Sequence, residues 1–375
     1  MSQFQAKKVP VLIASTLKPV NDVRAFGKLG LSIGETNTYS LFIIGFSAKR
    51  PISFPGFRFF SSMSHFGSRF DRMLSQVRFV CRLIQVKPKL VISCTYEYLP
   101  LASLLKPFLK YKLVYDVQEN YLLNLNLNPE LSLSKKRKAA SIIEKAESVT
   151  GIDLYLFAEN CYAAEMPEKK PFLILENKFS GNLKPVLPRS FSDKKVIRFC
   201  IIGTITPAFG ILDAVNWFTE ILSYFPDFEL VIAGHCPLIS FREKLHEIAK
   251  NNPKISLSID QNPVLHEEFI QVLTSSDFAL LPYQDHQAIR DKMPTKLFEC
   301  AALGIPVLIS PNPKWEKFLA DFSGGYPIDF LNLPMAIEDL QTALGQTFFT
   351  ATPSESILWK TEKLHFQQAI QDLLS

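Results

Sequence analysis

Short apolar runs separated by helical segments occupy most of this 375-residue chain, and they do so twice over. Val9–Ser15, Tyr39–Gly45, Leu90–Cys94, Lys112–Asp116, Ser148–Gly151 and Pro171–Leu175 read as strands of a first set. Val196–Thr204, Phe228–Gly234, Ile255–Ile259 and Asp277–Tyr283 read as a second set. Continuous apolar strands alternating with helices predict parallel α/β sheets covered on both faces. Helices are expected from about Val23, over Phe66–Val86, Tyr96–Leu109 and Ile152–Glu165, and from Ser134 onward. Further helices are expected at about Ile211–Phe225, Phe241–Asn251 and Glu267–Ser275. Residues 46–65 and 122–133 read as connections. Residues 179–194, with Gly181, two prolines and polar residues, read as a linker. The expected organisation is a first domain over 1–182, a second over 195–355 and a C-terminal helical segment over 356–375.

The most informative single stretch runs from Asp291 to Ser310. Pro294 opens a short helix, where a missing N–H costs nothing. Gly304 ends it and Pro306 prevents its continuation. The first turn carries Thr295 and Lys296, and Glu299 follows on the same face. Unsatisfied N–H groups and a cation at a helix start form an anion site, most often for phosphate. A carboxylate one turn further on can accept from two adjacent sugar hydroxyls. Diphosphate plus ribose is half of a nucleotide-sugar.

Charge divides the chain. Residues 1–188 carry 26 lysines and arginines against 14 acids, and residues 189–375 carry 15 against 22. A basic half facing an acidic half points to an anionic partner for the first. Along Phe66–Val86 the apolar positions Phe66, Phe70, Met73, Leu74, Val77, Val80, Cys81 and Ile84 repeat helically. Arg69, Arg72, Arg78 and Arg82 occupy other positions, either as a solvated face or as one that rests on anionic lipid headgroups. Lys135-Lys136-Arg137-Lys138 opposes the dipole of its own helix, which an anion would relieve. No apolar run reaches the roughly 20 residues of a membrane span, and residues 1–8 lack an apolar signal region. The expected location is the cytoplasm, with peripheral attachment to the inner face of the membrane. Six scattered cysteines offer no zinc or disulfide spacing and read as buried thiols. No nucleic-acid motif is present, and no Gly-x-Gly-x-x-Gly follows the strands at 9–15 or 196–204.

Pro294-Thr295-Lys296-Leu297-Phe298-Glu299, followed by Ala302, Gly304, Pro306 and Val307, resembles the P-S/T-K-L-x-E…A-x-G-x-P-V signature of the glycosyl transferase group 1 family. Ser276–Pro282, the Gly-ended strands at Ile202-Gly203-Thr204 and Ile232-Ala233-Gly234, and Ile174–Asn177 are similar to further segments of that family. The resemblance is close over about 195–310 and looser before it. It implies a GT-B architecture, in which two Rossmann-like domains face across a cleft and a C-terminal helix returns to the first. It also implies transfer of a sugar from a UDP- or GDP-sugar, with retention, to an acceptor in surface polysaccharide or glycolipid synthesis. Neither a cofactor nor a metal is implied, and a lipid-linked acceptor would suit the basic first half. By resemblance Glu299 holds the ribose, Asp291 faces the donor sugar, and the backbone at Pro294 and Thr295 cradles the diphosphate, with Gly203, Thr204 and Gly234 lining the donor site.

Two departures bear on chemistry. The loop Gly203–Gly210 lacks the Arg and Lys that many members place there, which leaves Lys296, Lys292 and Arg290 to neutralise the leaving diphosphate. Gln118 stands where many members have a His, so acid–base work passes to Glu119 or Asp116. Arg24 and Gln118 are expected on the acceptor side. The alternatives are a non-catalytic partner that keeps the nucleotide site or only the fold, and a sugar-nucleotide epimerase.

Overall fold

A computed structural model describes residues 8–46, 53–62, 69–262 and 264–375. The chain divides into two compact units, residues 1–180 with 359–375, and residues 181–358.

The first unit holds a seven-stranded, wholly parallel sheet in the order β3-β2-β1-β4-β5-β6-β7. Its strands are β1 (Val9–Pro19), β2 (Tyr39–Phe46), β3 (Phe57–Ser62), β4 (Leu90–Ser93), β5 (Lys112–Val117), β6 (Leu154–Phe157) and β7 (Phe172–Ile174). Alternation along β1 assigns its side chains to opposite faces. Val11 and Ile13 join Ala25, Leu29 and Ile33 on one face. Leu12 and Ala14 join Phe79, Leu83, Tyr98 and Ala102 on the other. The C-terminal helix Trp359–Leu374 packs Trp359, Phe366 and Ile370 into the first of these clusters. The Trp359 indole N–H donates to Ser32 Oγ at 2.9 Å, and Gln367 Nε2 donates to the Ser32 carbonyl at 2.6 Å.

The second unit holds a six-stranded parallel sheet in the order β10-β9-β8-β11-β12-β13. Its strands are β8 (Arg198–Thr204), β9 (Glu229–His235), β10 (Ile255–Asp260), β11 (Phe278–Leu281), β12 (Val307–Ile309) and β13 (Gly325–Pro327). Phe199 anchors its core among Trp217, Phe218, Phe228 and Phe278. Strand order reverses between β1 and β4, and again between β8 and β11. Ligands of open α/β sheets bind at the strand ends beside such reversals.

Several local expectations are corrected. Residues 46–65 contain a strand, β3, which pairs in parallel with β2. Residues 152–165 are not one helix but β6 and a short helix, Tyr162–Glu165, and no strand forms at 148–151. Gly151, at φ 81°, breaks the chain before the strand rather than after it. The helix expected from Val23 begins with a wider π-helical turn, Ala25–Gly30, and continues as Leu31–Gly34. Ser132, not Ser134, precedes the helix Leu133–Glu147. The linker residues 181–194 belong to the second unit. There the Lys184 backbone N–H donates to the Ala302 carbonyl and Arg189 Nη1 to the Gly304 carbonyl, so one main-chain amide and one cation close the end of the helix Thr295–Leu303.

The described part of the Phe66–Val86 helix is Arg69–Val86, and Phe66 lies outside the described residues. Its buried face is Ser75, Phe79 and Leu83, with Phe79 stacked on Tyr98 at 4.3 Å. The apolar period read from sequence points the other way: Phe70, Met73, Val77 and Ile84 are each more than half exposed. Four of the six thiols are buried, Cys161 is half-buried and Cys81 is exposed on this same helix.

Candidate functional site

Helix Thr295–Leu303 follows Pro294, whose φ of −55° suits a helix entry, and ends at Gly304 in the left-handed conformation. Its first turn faces the end of β8. Gly203, at φ 104°, leaves room for Lys296, because a Cβ there would lie 2.6 Å from Lys296 Cε and 2.7 Å from Nζ. The ammonium donates to the Tyr283 hydroxyl at 3.0 Å and lies 5.8 Å from that ring's centroid. Burial alone would lower the pKa of Lys296. The Tyr283 hydroxyl that accepts its hydrogen bond and the nearby Glu299 outweigh it and hold the lysine above its ordinary value. A fixed cation therefore stands at the Gly203 turn, although residues 203–210 supply none.

Two other glycines mark close backbone contacts. A Cβ at Gly234 would lie 1.9 Å from the Gly203 carbonyl oxygen, and one at Gly210 would lie 1.7 Å from that of Pro282. The ends of β8 and β9 and the turn after β11 are thus drawn together by absent side chains. Thr204 is exposed at the end of β8.

Glu299 is largely buried. Its Oε1 lies 2.8 Å from His266 Nε2, on the first residue of the helix His266–Thr274. His266 was not among the residues singled out from sequence, since it lies 33 positions from its partner. Its only sequence signal is a lone histidine at a helix start, which is too common to select.

The turn before the helix is pinned through its carbonyls. Asn312 Nδ2 donates to Arg290 O at 3.0 Å, Lys314 Nζ to Asp291 O at 2.6 Å, and Trp315 Nε1 to Lys292 O at 2.8 Å. Asp291 is exposed at the end of the short helix Gln287–Arg290. Arg290 is exposed and committed to Asp285 through two hydrogen bonds of 2.8 and 2.9 Å. That pair is solvent-exposed, and exposed ion pairs hold weakly. Lys292 is half-buried on the same turn.

In the first unit two expectations change. Arg24 is buried, not on an acceptor surface. Its Nε lies 3.0 Å from both Asp116 oxygens, its Nη2 2.7 Å from Oδ1, and its Nη1 2.9 Å from the Leu175 carbonyl. Burial opposes its charge, but Asp116 more than restores it. Asp116 has no exposed surface and also accepts from Gln118 Nε2 at 2.8 Å. A carboxylate so enclosed cannot exchange protons with a substrate, so Asp116 is a structural acid. The pair ties the turn after β1 to the ends of β5 and β7. Gln118 serves that network. Glu119 is half-buried just past β5 and accepts from Asn124 Nδ2 at 2.8 Å. Glu97, outside the sequence-derived set, sits past β4 beside the strand reversal, and its Oε2 accepts from Thr16 Oγ1 at 2.7 Å. Burial and the nearby Glu97 push the Tyr96 phenol up to about 12. Among the described residues no group of three His, Cys, Asp or Glu side chains could hold a metal ion, and no helix is long and apolar enough to cross a membrane.

No family model matches the sequence, and no curated protein matches it. Solved structures do match over the full length. Sucrose-phosphate synthase from Thermosynechococcus elongatus aligns at a TM-score of 0.67 with 12% identity, over 98% of this chain and 99% of that one. HepE from Anabaena, in complex with UDP and glucose, aligns at 0.61 with 13% identity, over 98% and 99%. WaaG, a glycosyltransferase involved in lipopolysaccharide biosynthesis, aligns at 0.61 with 14% identity, over 98% and 97%. The fold is accordingly GT-B: two Rossmann-like units, with the C-terminal helix returned to the first.

Proposed function

We propose that the chain is a glycosyltransferase that binds a UDP- or GDP-sugar on its second unit and transfers the sugar, without a metal and with retention, to an acceptor held by the first. The observation that carries this reading is the Lys296 ammonium fixed against Gly203 by Tyr283, at the start of a helix that also bears Glu299. Departure of a nucleoside diphosphate builds negative charge, and a preorganised cation beside helix N–H groups stabilises that charge where it forms. Glu299, whose Oε1 lies 2.8 Å from His266 Nε2, would accept from ribose hydroxyls. In this reading Asp291 and Glu119 face the reacting sugars, and Lys292 is a second cation for the diphosphate.

A lipid-linked acceptor in surface polysaccharide or glycolipid synthesis fits the first unit. Phe70, Met73, Val77 and Ile84 form an exposed apolar stripe, with Arg72 and Arg78 exposed alongside. Leu104 and Phe108 extend the exposed apolar surface on the helix Leu99–Leu109, and the Lys135–Lys138 run follows on Leu133–Glu147. Apolar side chains among cations suit an anionic bilayer surface. Residues 69–86 would then rest at the inner face of the membrane.

The test is incubation with a panel of UDP- and GDP-sugars, following release of nucleoside diphosphate and the anomeric configuration of the product. Release abolished by Lys296→Ala is the expected result. Epimerised donor without transfer, or binding without release, would replace this reading with an epimerase or a non-catalytic protein. In flotation with phosphatidylglycerol vesicles, Val77→Asp should lower the bound fraction severalfold. Equal binding to phosphatidylcholine would remove the membrane part alone.

A further inference from the structure

A second cavity in the same unit shares a wall with the Lys296 site. It measures about 240 Å³ and opens at the ends of β11, β12 and β13. Tyr283 belongs to both, since its hydroxyl accepts from Lys296 while it also lines the cavity. Trp315 stands edge-on to Tyr283 at 5.8 Å, and Phe330 adds a third aromatic wall. The Trp315 N–H is occupied by the Lys292 carbonyl, so the indole offers the cavity an apolar surface. The volume falls below the roughly 300–1,000 Å³ of sites for drug-sized ligands, which suits one small ring.

The polar lining is unbalanced. Asp213, Asp285 and Asp329 face a single cation, Arg290, and Asp285 already holds that cation through two hydrogen bonds. Asp213 Oδ2 accepts from Gln284 and Asp329 Oδ1 from the Leu331 N–H. Among the described residues this leaves the second oxygen of each carboxylate for a ligand. Ionised carboxylates only accept hydrogen bonds, so they match hydroxyl or ammonium donors and repel carboxylate or phosphate.

We infer that this cavity receives the monosaccharide of the donor and selects a neutral or amino sugar against an acidic one. The inference rests on the reading of the second unit as a nucleotide-sugar site. Calorimetry with the full chain tests it, using UDP and GDP alone and their glucose-type, glucosamine-type and glucuronate-type sugars. The neutral and amino sugars should bind at least about tenfold more tightly than the uronate, since like charges oppose association. Asp213→Asn with Asp329→Asn should shrink that ratio severalfold while affinity for the free nucleotide stays unchanged. Nucleotide binding with an unaltered ratio in the double variant, or a wild-type preference for the uronate, would overturn the inference and leave the parent reading standing. Failure of every nucleotide to bind would overturn both.

Discussion

Replacing Gly203 by alanine should damage this protein in two separable ways. The backbone at φ 104° strains an L-residue, a cost of about 1–3 kcal/mol. The new methyl would also stand 2.6 Å from Lys296 Cε. Restoring an ordinary carbon–carbon separation of about 3.5–4.0 Å displaces the end of the lysine by about 1 Å. That shift breaks its 3.0 Å bond to Tyr283, a loss of about 1 kcal/mol. A total of about 2–4 kcal/mol, at about 2–4 °C per kcal/mol for a unit of this size, lowers the melting transition by about 5–15 °C. A misplacement of about 1 Å in a catalytic charge also costs turnover about a hundredfold. The decisive assay is a double-mutant cycle with Lys296→Ala, read by thermal or urea unfolding. Shortening the lysine removes the clash but not the backbone strain, so the double variant should be about 1–2 kcal/mol more stable than additivity gives, within the range seen for touching residues. Additive costs, agreeing to within about 0.5 kcal/mol, would refute the claim that Gly203 is small to make room for Lys296.

Other expectations follow from the same contacts. Asp116→Ala leaves Arg24 buried without its carboxylate and should cost about 3–5 kcal/mol in urea unfolding of the first unit; a loss below about 1 kcal/mol would contradict the buried pair. Glu299→Ala should abolish donor binding by calorimetry, while His266→Ala, which frees the carboxylate to reorient, should weaken it about tenfold, the scale of one lost hydrogen bond to a charged group; wild-type affinity in the glutamate variant would sink the ribose assignment. The folded-state pKa of Lys296 is raised, so its stabilising contribution is complete below 10.5 and is lost only as pH climbs through the higher folded value. The pH–rate profile should therefore show no lysine limb at neutral or mildly alkaline pH, and a downturn there that vanishes in Lys296→Ala would disprove it.

The sheets were legible in the sequence because their strands are buried on both faces and read as unbroken apolar runs. The helix Thr295–Leu303 was legible because proline and glycine fix its ends by backbone geometry alone. Where a segment's burial depended on a distant partner, the local pattern misled. β3 lies at the sheet edge, with Arg58 in it, and gains strand character only from its ladder with β2. In Arg69–Val86 a serine faces the core while Phe70 and Val77 face outward, so a larger apolar set outvoted the true interior face. Arg24 and Asp116 stand 92 positions apart and meet only because the sheet gathers the ends of β1, β5 and β7 on one edge. The same logic accounts for the cation that seemed to be missing. A parallel sheet brings the turn after β8 beside the helix that follows β11, so a charge absent from one loop can be supplied by the other. Lys296 puts its ammonium there because the facing residue is too small to exclude it. The glycine at 203 and the lysine at 296, each legible in the sequence as a donor-site residue but not as a pair, are two halves of one device.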